Sequence, residues 1–580
     1  MTTRPPRLHP GRRRSSRSVS RPAALLLAFV LLALLPTTAR ADDPPVPPPS
    51  APAARSTVAA MQPGWNLGNT YDAIPDETSW GNPPVTRALF KKVRSQGFKS
   101  IRLPVTWGIH QGAAPAYAID PAWTAKVRRV ADMALDEGLY VLLNMHHDSW
   151  MWVNTLPADH DTVLARYRAT WTQIAAEFRD ESPRLLFESV NEPTFTGTSG
   201  DEENYRLLAE LNRVFHGIVR ESGGRNANRL LVLPTLYTNA DSGRIDALAA
   251  ELVALHDPMI ATTVHFYGWW PFSVNIAGYT RFDATSEQDL TDTFDRVHTA
   301  FVSRGIPVII GEYALLAYDH NRPGIIERGE VRKYFEFLGD AARSRRLTTM
   351  LWDAGQFLDR GTLRWRDPEL VGQIRSSWTT RSGTASSDTV FLARSAPVGA
   401  RTLTLNANGT DFQGLRHGSR DLVRGRDYTV SGDRLTLTAE ALTELAGDRA
   451  YGVDATIEAR FSRGVPWRID VISYDVPVLS DASGDTAGLT VPTQFRGDRL
   501  ATMEARYDDG SNAGPASWTP YQQWDTAFTA YTDDAVKLTP DFVKSLKDGS
   551  EVTLTFHFWS GTSVTYHVVR SADTVTGTRA

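Results

Sequence analysis

Leu185-Leu-Phe-Glu-Ser-Val-Asn-Glu-Pro193 is an apolar run that ends in a carboxamide, a carboxylate and a proline. It reads as a buried strand whose proline stops further sheet pairing. Val308-Ile-Ile-Gly-Glu-Tyr313 repeats the pattern, again delivering a glutamate at the end of an apolar strand. Working outward from these two, six more β-rich runs appear: Gly64–Leu67, Ser100–Val105, Tyr140–His146, Leu230–Pro234, Ala261–Phe266 and Thr348–Trp352. Amphipathic stretches separate them, among them Val85–Gln96, Pro121–Glu137, Asp161–Phe178, Tyr205–Glu221 and Leu290–Ser303. Gly97, Gly138 and Gly305 stand just before the following strands, where helix C-termini favour glycine. Eight strands alternating with helices predict an α/β fold of the (β/α)8 TIM-barrel class over residues 57–380. A doubly wound open sheet fits less well, because no glycine-rich phosphate loop follows the first strand.

In such a barrel, side chains at the C-terminal strand ends converge on one mouth. The runs bring Asn69 and Asp72, Arg102, His146 and His147, Asn191 and Glu192, His265 and Tyr267, Glu312, and Trp352 to that mouth, seven strand ends of the eight. Alone, an Asn-Glu-Pro fits a turn and a strand-end glutamate fits a salt-bridged loop. Together, Glu192 on the fourth strand and Glu312 on the seventh match glycoside cleavage, which needs two carboxyls across the scissile bond. His146-His147-Asp148 also offers metal-ligand chemistry. Adjacent residues on a strand point to opposite sides, so no metal and no cofactor is expected.

The bulk properties agree with secreted sugar chemistry. A net charge of −4 gives no basic field for nucleic acid. Sixteen Trp, 18 Tyr and 23 Phe supply flat apolar faces on which sugars stack, though an aromatic-rich core fits the same counts. The absence of cysteine excludes disulfides, thiolate metal sites and a cysteine nucleophile. Arg4 to Arg21 hold seven arginines, Ala23 to Pro36 is apolar, and Ala39-Arg40-Ala41 offers a cleavage site. Residues 1–41 are therefore read as a signal peptide, too short in its apolar part to span a bilayer. The mature chain is expected to be extracellular, free of the membrane and monomeric. Residues 42–56 read as a stiff Pro/Ala-rich leader.

GWNLGNTYDA, ETSWGNP, IRLPVTW, LLNMHHD, LLFESVNEP, HFYGWWPF, VIIGEYA and MLWDAG, all between residues 61 and about 370, resemble glycoside hydrolase family 5. The resemblance implies a retaining β-glycanase with Glu192 as acid/base and Glu312 as nucleophile. It also implies roles around the cleaved sugar for Arg102, His146, Asn191, His265, Tyr267 and Trp352. Asn69, Asp72, Trp80 and His147 are expected to bind neighbouring sugars or line the cleft. The nearby Glu312 anion is expected to raise the Glu192 pKa. The motifs look more like the endoglucanase and xyloglucanase branch than the mannanase branch. A β-1,4-glucan is therefore the expected substrate, with mannan, xylan, a metal-dependent hydrolase and a non-catalytic polysaccharide binder as alternatives.

Beyond Ser382 the texture turns to short alternating strands. Residues 386–480 resemble immunoglobulin-like carbohydrate-binding modules behind cellulase barrels, and residues 486–572 resemble carbohydrate-binding module family 46. Asp481–Asp485 reads as a hinge between them. Trp518, Trp524 and Trp559 are candidates for stacking on glucan or for core packing. In similar three-module enzymes the last module folds back over the cleft, so its removal is expected to weaken turnover of branched glucans.

Overall fold

The computed structural model describes residues 50–319, 321–322 and 324–580. The expected signal peptide lies outside the described residues. Among the described residues, no helix is long and apolar enough to cross a membrane.

Eight parallel strands close into a barrel: β1 (Gly64–Asn66), β2 (Ser100–Leu103), β3 (Tyr140–Asn144), β4 (Leu185–Glu188), β5 (Leu231–Pro234), β6 (Ile260–Phe266), β7 (Val308–Tyr313) and β8 (Thr348–Leu351). Each was legible as an apolar run, because both faces of a barrel strand are covered. Gly97, Gly138 and Gly305 do take left-handed φ of 102°, 78° and 86° at the turns into β2, β3 and β7.

The leader reading needs correction. Ala51–Ala60 is a helix, α1, capped by the Ser50 side chain and carrying a proline in its first turn. Its Ala53, Ala54 and Val58 pack with Met61 against Leu142, Leu186, Val232, Ala261, Ile309 and Met350 from the barrel strands. Alanine and proline suggested an extended tether. The same alanines are good helix formers, and the small face of α1 fills the barrel floor.

The helices that follow β1 to β8 are α2 (Arg87–Ser95), α3 (Pro121–Asp136), α4 (His160–Glu177), α5 (Asp201–Glu221), α6 (Ser242–Leu255), α7 (Ala284–Ala300), α8 (Arg328–Ser344) and α9 (Pro368–Ser377). Residues 384–474 form the second module, with a four-stranded sheet facing a five-stranded one around a core of its own. The third module, from Val478 to Arg579, repeats the four-plus-five arrangement. Asp481–Asp485 is not a hinge: Ala482–Asp485 is a strand of the third module, paired with Thr574–Gly577. A Ser-Gly-Asp run carries turn residues, and only the remote partner strand turns it into sheet.

The third module shares one continuous apolar core with the barrel, whereas the second does not. The docking segment is the β6–α7 loop. Asn275 donates to the Ala501 carbonyl at 2.9 Å and accepts from the Trp524 amide at 3.2 Å, and the Ala277 amide donates to the Tyr521 carbonyl at 3.2 Å. The second module is held by polar and charged contacts instead: Arg381, just before it, is bidentate on Glu336 at 2.7 and 2.9 Å and donates to Asn408 of the module at 2.7 Å, and Arg468 pairs with Glu369 at 2.8 Å.

One buried carboxyl makes the barrel pH-sensitive. Glu251 on α6 is buried, and burial pushes its carboxyl up to about 7, offset only in part by a bond from Asn212 and the charge of Arg213. The unfolded carboxyl titrates near 4.5, so the folded state binds more protons between these values. Stability therefore falls as pH rises from about 4.5 and levels off above 7, a loss of up to about 3 kcal/mol. Glu251→Gln is expected to flatten this part of the curve of unfolding free energy against pH. Identical curves for the two proteins would disprove the assignment.

Candidate active site

The mouth of the barrel is organised by Arg102, at the third position of β2 and fully buried. Its Nε and Nη2 donate to the two oxygens of Glu188 at 2.6 and 2.9 Å. Nη1 donates to Glu312 Oε1 at 2.5 Å and to Asn66 Oδ1 at 3.2 Å, and Nη2 also donates to Asn191 Oδ1 at 2.7 Å. Burial opposes the guanidinium charge, but Glu188 and Glu312 outweigh it and hold Arg102 protonated. Glu188 and Asn66 were not singled out in the sequence. The signal was present, since both are polar residues inside apolar strands, where an unpaired group is costly.

Glu312 receives a second donor. The Tyr267 hydroxyl donates to its Oε2 at 2.5 Å, and burial together with the Glu312 charge raises the Tyr267 pKa far above the usual phenol value. Tyr267 is therefore a donor at any working pH. Register shifts in β7, one between Val264 and His265 of β6 and one between Ile310 and Tyr313, re-aim the Glu312 segment into the mouth. Gly311 is required here, because a Cβ would lie 2.5 Å from Thr263 Oγ1 and 3.1 Å from His265 Nε2.

Glu192 lies just past β4 with a left-handed φ of 39°, unusual for a residue with a long side chain. Its Oε1 meets His265 Nδ1 at 2.8 Å, while the same nitrogen is 3.6 Å from Glu312 Oε2. Donor atoms of Glu192, His265 and Glu312 all lie within 4.8 Å of one another. The expected rise in the Glu192 pKa is not found. Burial works to raise it, but the His265 hydrogen bond and the electrostatic influence of His265, Arg102 and His147 outweigh burial and hold the carboxyl below its ordinary value.

The remaining candidates divide. His146 is buried and neutral, its pKa driven down first by burial; Asn144 lies 3.0 Å from its Nδ1, and its ring stacks on half-buried Trp352 at 5.7 Å. His147 sits between two exposed indoles, 5.3 Å from Trp80 and 5.4 Å from Trp150, and accepts the Trp150 Nε1–H at 2.9 Å. Trp150 was missed because it lies in the four-residue helix Asp148–Met151 after β3, too short for spacing to carry a signal. Asp72, expected to touch sugar, is fully buried and accepts the amides of Asn69 and Thr70 at 3.0 and 2.7 Å. It braces its own loop, in which Asn69 takes a left-handed φ of 52°.

Asp72, His146 and His147 bring three possible metal donors within 4.8 Å. The two imidazoles do not diverge as strand neighbours would: β3 has ended at Asn144, and the rings meet edge to face at 4.6 Å. Their Nδ1 atoms and the Asp72 carboxylate are already engaged by protein donors.

Of the three module indoles, Trp518 is 62% exposed and faces Trp270 of the β6–α7 loop, itself 45% exposed, at 6.4 Å. Trp524 is only 2% exposed and packs on Phe528 in the module core, so it is no sugar platform. Trp559 lines a cavity of about 520 Å³ between barrel and module, with Arg281 over its ring at 5.0 Å. It serves the junction.

Residues 67–357 match the family model described as cellulase (glycosyl hydrolase family 5). The chain belongs to glycosyl hydrolase family 5. Residues 384–471 match carbohydrate binding domain X2, and residues 475–578 match a second carbohydrate binding domain, the family 46 module. Endoglucanase B of Paenibacillus lautus is 48% identical over 531 residues, covering 91% of this chain and 94% of its own. The full-length tri-modular endo-β-1,4-glucanase B of Bacillus halodurans superposes with a TM-score of 0.89 at 45% identity, covering 91% of this chain and 99% of its own. A tri-modular family 5 (subfamily 4) endo-β-1,4-glucanase of Bacillus licheniformis complexed with cellotetraose has a TM-score of 0.78 at 33% identity, covering 90% and 99%. Family membership, the barrel and the two carbohydrate-binding modules were all expected from the sequence.

Removing Glu188 would leave the buried Arg102 short of two bonds and half of its counter-charge. Glu188→Ala is expected to destabilise the fold by about 3 kcal/mol or more, read from denaturant unfolding. A loss below about 1 kcal/mol would show that Arg102 does not depend on this partner.

Proposed function

We propose that this chain is a secreted endo-β-1,4-glucanase that cleaves cellulose-like, mixed-linkage or xyloglucan chains with retention of configuration. The observation that carries the proposal is the pairing of Glu192 and Glu312 within 4.8 Å at the barrel mouth. Retaining enzymes hold their carboxyls about 5–5.5 Å apart, close enough for direct attack, whereas inverting enzymes leave room for a water.

In the first step, the Glu312 carboxylate attacks the anomeric carbon, forming an ester as the glycosidic C–O bond breaks. Arg102 and Tyr267 each donate to the attacking carboxylate and orient it. The proton for the leaving oxygen comes from Glu192. In the free protein His265 favours the Glu192 anion. A bound glucan displaces water and disfavours that anion, so the shared proton moves to the carboxyl. In the second step, Glu192 takes a proton from water, the hydroxide oxygen bonds to the anomeric carbon, and Glu312 departs as carboxylate. Asn191 accepts from Arg102 through Oδ1, which leaves its Nδ2 for the sugar 2-hydroxyl. Trp352 gives the cleaved sugar a stacking face, with Asn69, His147, Trp80 and Trp150 along the cleft beyond it.

The exposed Trp270–Trp518 pair favours branched glucans as substrates, because the third module then adds a wall to the cleft. Glu312→Ala is expected to lower kcat on the order of 10⁵-fold while glucan binding persists, checked by reducing-end release and affinity electrophoresis. Full activity in this variant would falsify the nucleophile assignment. For Trp518→Ala, xyloglucan turnover is expected to drop roughly tenfold with cello-oligosaccharide turnover little changed. Equal rates on xyloglucan for variant and wild type would remove the module from the cleft.

A further inference from the structure

The Tyr267–Glu312 hydrogen bond joins side chains from two different strand exits. β6 ends at Phe266, so Tyr267 lies one residue beyond its last pairing with β7, Phe266 opposite Tyr313. Gly268 then turns the chain away with a left-handed φ of 83°. Sheet pairing alone therefore does not fix Tyr267. One hydroxyl supplies the missing reference. Ser273 Oγ donates to the Tyr267 carbonyl at 2.6 Å and accepts the Leu316 amide at 2.7 Å. The Ser273 carbonyl also accepts the Ala317 amide at 3.2 Å. Leu316 is the fourth residue after Glu312. The same side chain thus holds the main chain of the donor and the segment that leaves the acceptor strand.

The surroundings keep this serine in place. It is fully buried, ends the four-residue helix Trp270–Ser273, and donates its amide to the Trp269 carbonyl at 2.9 Å. A Cβ on Gly268 would lie 3.0 Å from Leu315 Cδ2 and 3.6 Å from Ser273 Cβ, so the turn is closely packed. On the β7 side, the Tyr334 hydroxyl donates to the Ala314 carbonyl at 2.8 Å. Two residues past Ser273, Asn275 donates to the Ile325 carbonyl at 2.7 Å and to the Ala501 carbonyl of the third module at 2.9 Å. Ser273 stands between that anchor and the tyrosine that serves Glu312. Alanine would suit so short a helix at least as well. What only the hydroxyl provides is the pair of bonds to the two loops.

We infer that Ser273 is a positioning residue for the reaction, holding the Tyr267 hydroxyl on Glu312 by tying the exits of β6 and β7 together. The inference rests on the proposed function, in which Glu312 is the attacking carboxylate. A misplacement of about 1 Å in a reacting group costs on the order of 10²-fold in rate. Losing the hydroxyl costs less than that, because the Ala317 bond to the Ser273 carbonyl remains. The tie acts on the attacking group and not on the sugar, so its loss falls on kcat and spares KM.

Ser273→Ala removes the hydroxyl, and Ser273→Cys keeps the volume with a weaker donor. Reducing-end release from cellopentaose by the full chain gives kcat and KM. For Ser273→Ala, kcat is expected to fall about tenfold with KM within about twofold, and Ser273→Cys is expected to lie between it and wild type. The deciding comparison is made in Tyr267→Phe, which has no hydroxyl left to position. There Ser273→Ala is expected to cost less than about twofold, since residues that act through one another are not additive. The same factor in both backgrounds would mark general damage to the loop and overturn the inference, as would an unchanged kcat in Ser273→Ala. If Ser273→Ala fails to unfold cooperatively, Ser273→Cys decides by the same rule: a loss that vanishes in Tyr267→Phe supports the role, and one that persists overturns it. A wild-type chain that releases no reducing ends would overturn the proposed function and this role together.

Discussion

All five N–H groups of the Arg102 guanidinium are bonded, and all of them at zero solvent exposure. A buried cation survives only when paired and fully bonded, and this one achieves it by drawing together residues from β1, β2, β4 and β7. Asn66 extends the network, since its Nδ2 bonds the Gly311 carbonyl at 2.9 Å and the Met350 carbonyl at 3.1 Å. The planar fork accepts little misplacement of its partners. The barrel mouth is thus locked by one side chain, and Glu312 inherits its position from that lock.

The electrostatics follow from the same arrangement. One guanidinium bonds the carboxyl groups of Glu188 and Glu312, and Glu192 lies beside the second of them. His265 stands between the two glutamates, 2.8 Å from Glu192 and 3.6 Å from Glu312. The His265 hydrogen bond leads the influences that outweigh burial and keep the Glu192 pKa below its ordinary value.

The third module is joined to this centre through the β6–α7 loop. That loop carries Tyr267 at one end and the docking residues Asn275 and Ala277 further along, so the module grips a segment that also holds the Glu312 donor. A shared apolar core backs the grip, together with ion pairs of Arg499 with Glu327 and Arg322 with Asp525 at 3.5 and 3.7 Å. The second module has a separate core and meets the barrel through charged contacts.

The order of strands, the helical stretches between them and the residues at seven of the eight strand ends were readable along the chain. A barrel strand is covered on both faces, which writes a continuous apolar run into the sequence, and the polar residue that ends it stands out. Glu192 and Glu312, 120 positions apart, were found this way. Other features have no local signature. Ala51–Ala60 is helical because the barrel floor offers its alanines a surface, and Ala482–Asp485 is a strand because Thr574–Gly577 lies beside it. Trp524 and Trp518 are the same residue type in the same module, yet one is core and the other faces Trp270. Asp72 and Tyr237 show the converse, a polar residue turned inward and an aromatic one held outward by a turn of left-handed φ. Periodicity records only how much of a residue's neighbourhood is apolar; the side that meets solvent, and the partner across the gap, are decided when distant segments close against each other.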